Sequence, residues 1–246
     1  MEEHENLEAF LTHISGNFTV AEHGVHPDVM QSFIKISNKL GPNELGAAEV
    51  PKLKKKLQSE ATSRQVKYRT LAKLSAIKSV DSFRAIEAYY QDCPEDERGF
   101  VVLALNQSRH LLENQLLDSS TGLIITGLGG KGKKLRYYFL MVLADNQSLG
   151  NGIRRLLESE IEEGLQAHES ELEQIEFTPS YVATTALVPL SKNLADLIED
   201  LTVRCNAIQP IFLKNFFVTN GFFPSEDYLE TVVDKLRSQQ PDDEIS

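Results

Sequence analysis

Residues 121–145 read TGLIITGLGGKGKKLRYYFLMVLAD, and what this stretch forms decides the fold. A short apolar run, Leu123 to Ile125, enters a loop holding Gly127, Gly129, Gly130 and Gly132. A longer run, Leu135 to Ala144, leaves it and is rich in Tyr, Phe, Val and Leu, the residue types that suit a buried strand. Two strands joined by a glycine-rich hairpin loop account for these residues. If Leu135 onward is extended, the lysines of the loop cap a bend; if it were helical, they would stand at a phosphate cradle.

The same residues also approach the P-loop pattern G-x-x-x-x-G-K-[ST], with Gly127, Gly132 and Lys133 in place. A P-loop works because glycines let backbone N–H groups curl round phosphates while a lysine meets the terminal ones and a hydroxyl holds magnesium. Here Lys134 stands where the hydroxyl belongs, and a strand follows where a helix is required. Asp145 closes the run, only twelve residues past Lys133. A looser anion site remains as an expectation, formed by Gly127, Gly129, Gly130, Lys131, Gly132, Lys133, Lys134 and Arg136 and meeting a phosphate-containing ligand.

Downstream, helix and strand patterns alternate. Residues 153–168 have a helical period with a glutamate-rich outer face, and 173–178 and 181–190 flank the turn Pro179-Ser180 as two strands. Residues 192–205 form a second amphipathic helix, 211–217 a last strand and 225–236 a terminal helix, before an acidic tail beyond Pro241. Upstream, the helical patterns cover 5–15, then a helix opened by Pro27 and stopped at Gly41-Pro42, then 43–58 interrupted near Pro51. Three stronger helices follow. One spans 63–77, the next is capped by Asp81 or Ser82, and the third opens with Pro94 and three acids, which suits the helix dipole.

Val66 to Ile77 and Glu97 to Ser108 echo each other about 31 residues apart, and this helical half resembles HEAT-type repeats. The order strand, helix, strand, strand, helix, strand over Leu135 to Val218 resembles the ferredoxin-like split βαβ fold, which implies two helices on one face of an antiparallel sheet. The expected class is therefore α+β: an α-helical region over 1–118, a ferredoxin-like domain with its preceding hairpin over 119–240, and a tail over 241–246.

Hydrophobic content of 41% and charged content of 25% are ordinary for a globular chain. No apolar run reaches the roughly 18 residues of a membrane span, and no basic region precedes an apolar core at the N-terminus. Only Cys93 and Cys205 are present, which suits a reducing compartment and a cytoplasmic protein with free thiols. The net charge of −11 sets nucleic acid and anionic membranes aside as general partners. Yet residues 51–84 hold ten Lys/Arg against Glu60 and Asp81, a local balance of +8. Lys52, Lys54, Lys55, Lys56, Lys67, Arg69 and Lys73 are the candidates there for a basic surface, opposed by the plainer reading of a solvated helix face.

His23 and His26 lie in a loop without a recognised ligand spacing, so no metal is assigned. Cys93, ahead of Pro94 at a helix start, has a position that lowers a thiol pKa but lacks an assignable base. No catalytic residue or cofactor is expected. Taken alone, the sequence favours a non-catalytic, self-associating interaction or scaffold protein. The alternatives are a nucleotide- or anion-handling protein using residues 127–134, and RNA binding through 52–78 and 131–136.

Overall fold

The computed structural model describes residues 18–40, 46–118 and 121–239, and the chain divides into two compact units, 1–127 and 128–246. The class is α+β. The helix expected over 5–15, the Gly41-Pro42 stop and the tail from Pro241 lie outside the described residues.

Among the described residues, the first unit runs from β1 (Phe18–Val20) through α1 (Pro27–Lys39), α2 (Val50–Gln58), α3 (Arg64–Ala76), α4 (Val80–Asp92) and α5 (Glu95–Leu116) to β2 (Gly122–Ile124). Ser79, not Asp81 or Ser82, caps α4: its hydroxyl accepts from the Asp81 amide, while the buried Ser82 hydroxyl donates to the Leu74 carbonyl. The core forms where Phe100 of α5 stacks on Tyr68 of α3, ring centroids 4.0 Å apart, with Phe33 of α1 tilted against it. Leu57, Leu71, Leu74 and Ile86 are fully enclosed around this group. Glu97, buried at the start of α5, accepts the Tyr89 hydroxyl, so its polar head is satisfied within the core.

One expectation is corrected at this level. The run Leu123–Ile125 does not form a hairpin with the long strand after the glycine loop. β2 instead pairs in parallel with β1, Thr19 opposite Leu123, and belongs to the helical unit. The Asn114 side chain on α5 accepts from both the amide and the hydroxyl of Thr121, which fixes where β2 begins.

The second unit holds β3 (Gly130–Lys131), β4 (Lys134–Leu143), α6 (Asn151–Ala167), β5 (Glu171–Phe177), β6 (Tyr181–Pro189), α7 (Leu194–Ile208), β7 (Phe212–Thr219) and α8 (Glu226–Ser238). All its pairings are antiparallel, in the spatial order β5-β6-β4-β7, with β3 beside the start of β4. Strand alternation sends Phe139, Met141, Leu143, Val182, Ala186 and Val188 to one face, where α6 and α7 cover them. Those helices approach closely at Gly164, where a Cβ would run into the fully buried Leu201 side chain. The opposite face carries Leu140, Val142, Ala183 and Leu213, and α8 covers them through Leu229 and Val233.

Candidate nucleic-acid interface

The glycine loop resolves into a tight turn. β3 and β4 pair Lys131 with Lys134, which leaves Gly132-Lys133 as a two-residue hairpin loop. Gly132 sits at φ +62°, the left-handed conformation that a II′ turn needs at its first central position and that glycine supplies without a Cβ clash. Gly129, at φ +71°, sets the chain up for the turn, and its carbonyl accepts the Arg136 amide. No helix follows Lys133, so the P-loop geometry is absent at this position.

Two of the loop's cations are engaged on the sheet. Lys134 Nζ lies 2.6 Å from Glu171 Oε1, and Arg136 grips both oxygens of Glu173 while its third nitrogen donates to the Leu128 carbonyl. The hydrogen bond from Lys134 holds the Glu171 carboxyl below the usual carboxylate range. Lys131 is exposed at the tip of the hairpin, beside Lys133, and Gly127 closes the helical unit.

The basic candidates of the helical unit fall out differently. Val50, Leu53 and Leu57 turn one side of α2 into the core, against α3 and α4. Lys52, Lys54, Lys55 and Lys56 are all exposed, and none of them forms an ion pair among the described residues. At 3.6 residues per turn these four ammonium groups spread over about 200° of the helix circumference, centred opposite the buried side chains. On α3, Arg69 is exposed and Lys73 half-buried, both without a carboxylate partner among the described residues, whereas Lys67 stands over the Tyr89 ring at 5.3 Å.

The remaining candidates have structural explanations. His26 is the N-cap of α1, its Nδ1 accepting from the Asp28 amide. No group of three or more His, Cys, Asp or Glu side chains is placed to hold a metal among the described residues. The position of Cys93 suggested a lowered thiol pKa, but burial pushes it up, and burial takes Cys205 up to about 12; both thiols are free and buried. No helix among the described residues is long and apolar enough to cross a membrane.

No protein-family model matches the sequence, and no curated protein matches it. Among solved structures, a putative transposase from Deinococcus radiodurans R1 overlaps 44% of this chain and 92% of its own, at 16% identity and a TM-score of 0.36. A REP-associated tyrosine transposase bound to a REP hairpin overlaps 41% of this chain and 63% of its own, at 13% identity and a TM-score of 0.32. Both are named as transposases and neither as an interaction protein. The expectation of a non-catalytic, self-associating scaffold is corrected on that finding. Likeness this partial transfers no residue's role to the present chain.

Proposed function

We propose that the helical unit binds the phosphate backbone of duplex DNA through α2. The observation that carries this reading is the lysine face of that helix. Lys52, Lys54, Lys55 and Lys56 crowd one another without an acid in the helix to offset them, although Glu49 and Glu60 stand just beyond its ends. Such a surface gains nothing in the free protein, and it gains when phosphates replace the counterions around it. Its shape favours a groove over a flat acidic surface. Charge on the crest and both flanks of a helix meets two phosphate walls at once, and the DNA major groove, about 12 Å wide, admits an α-helix. A plane would engage one flank at a time.

The total charge of −11 opposes any polyanion at long range, and screening confines that repulsion to roughly 8 Å at physiological salt. Contact through α2 is therefore local, modest in affinity and steeply dependent on salt. The glycine hairpin takes no part in this reading, because Lys134 and Arg136 are already held by Glu171 and Glu173. The resemblance of the helical half to HEAT-type repeats belongs to the same proposal, since stacked helix pairs leave outer helices free along their length. Two free thiols suit a reducing compartment, and the proposal places the protein in the cytoplasm.

The test is fluorescence anisotropy of a labelled 20-base-pair duplex against the full chain at low salt. The variant K52Q/K54Q/K55Q/K56Q keeps every buried residue of α2 and is expected to bind at least tenfold more weakly. Equal binding by the parent and the variant would overturn the proposal, as would no binding by the parent.

A further inference from the structure

The face of the sheet that α8 leaves open holds a cavity of about 230 Å³ within the second unit. Its floor is Ala183 and Leu229, and its walls are Tyr138, Tyr181, Thr185 and Gln174 on the strands and Phe223 in the approach to α8. Two carboxylates, Glu176 of β5 and Glu226 at the start of α8, stand at its edge. We infer that this cavity binds an organic cation, an ammonium or guanidinium group, between its aromatic rings and its two carboxylates.

Thr185 is only 6% exposed, it lines the cavity, and its hydroxyl has no hydrogen-bond partner among the described residues. The half-buried Tyr138 and Tyr181 and the exposed Gln174 line the same space. Of these residues only Thr185 is buried, and a ligand that enters the cavity offers its hydroxyl a partner.

Charge and aromaticity choose the ligand. Neither Glu176 nor Glu226 meets a lysine or arginine among the described residues, and both reach Tyr181 electrostatically, joined by Glu230. Two carboxylates lining the cavity, neither in an ion pair among the described residues, disfavour an anionic ligand and favour a cationic one. Phe223 stands edge-on to Tyr138, centroids 6.0 Å apart and planes at 84°, so ring faces and edges border the opening. Aromatic faces beside carboxylates are the usual surroundings of a bound ammonium or guanidinium.

The tyrosines hold their protons in this setting. Burial, then the charges of Tyr181 and Glu176, takes Tyr138 up to about 12, and burial also raises Tyr181. They therefore serve as neutral hydroxyls toward a ligand and not as phenolate nucleophiles. The volume suits a single side-chain-sized group, and the same chemistry is offered by a free small amine or by an arginine of a peptide.

Isothermal titration of the full chain with methylguanidine and with acetyl-Gly-Arg-Gly-amide tests the inference, with the neutral citrulline peptide as the control. Binding of one or both cationic probes is expected, with the citrulline peptide at least tenfold weaker. Binding of both would identify a small-cation site, and binding of the peptide alone an arginine-reading one. Glu176→Gln/Glu226→Gln exchanges two exposed side chains and is expected to weaken cation binding at least tenfold, while Thr185→Val weakens it without altering the circular-dichroism spectrum. Citrulline binding as tight as arginine, an unchanged affinity in the double variant, or no heat from either cation at 10 mM would overturn it.

Discussion

Arg136 shows how one side chain can look functional in the sequence and be structural in the fold. It follows a glycine loop with three lysines, which reads as an anion site, yet its fork closes on Glu173 and on the Leu128 carbonyl. Both members of the pair are less than one third exposed, so this bond exceeds the ~0–1 kcal/mol of a surface pair. Arg136→Ala is expected to cost about 1.5–3 kcal/mol in urea unfolding, the range for hydrogen bonds to charged groups. Arg136→Lys should recover little, because an ammonium cannot bridge both oxygens and the carbonyl. A loss below about 0.5 kcal/mol for the alanine variant would show the pair to be ornamental. No feature of the sequence tells which cation has a partner: Lys134 and Arg136 meet Glu171 and Glu173 only because β6 lies between their strands. The cavity residues were hidden for the same reason. Tyr138, Gln174, Thr185 and Phe223 come from separate segments, and strand parity alone places Tyr138, Tyr181 and Thr185 on one face.

Among the elements, those with a strong period were readable. Continuous runs of aromatic, aliphatic and β-branched residues mark β4 and β6, and the spacing of Leu157, Ile161 and Leu165 marks α6. The lysine surface of α2 could also be found, since Val50, Leu53 and Leu57 repeat at helical spacing and leave the lysines outside. β1 and β2 were missed as a pair. Each has three residues, too few to show a period of two, and their parallel partnership joins positions about a hundred residues apart. Gly164 was equally silent, since nothing in residues 151–167 reveals that α7 passes over it. Its replacement sets two effects against each other. Gly164→Ala improves helix propensity by ~1 kcal/mol, while overpacking a filled core costs ~1–3 kcal/mol. Leu201 is wholly enclosed and has nowhere to turn, so the second effect wins and the midpoint of thermal unfolding is expected to fall. A rise in that midpoint would mean that α6 and α7 are more loosely packed than described.

At the scale of the molecule, a helical half followed by alternating strand and helix patterns indicated an α+β chain, and that class is observed. Net charge was less informative. A sum of −11 conceals a helix with four exposed lysines and no acid, because electrostatic attraction at contact depends on neighbours within a screening length and not on the total. The account gives that helix one task, to exchange its counterions for the phosphates of a duplex. The most direct measurement is the slope of log Kobs against log[salt] for duplex binding between 50 and 200 mM monovalent salt. With four lysines each meeting a phosphate, the slope should be about −3.6, at roughly −0.9 per phosphate, and should fall close to zero in K52Q/K54Q/K55Q/K56Q. A slope near zero in the parent protein, or the same slope in the variant, would contradict the account.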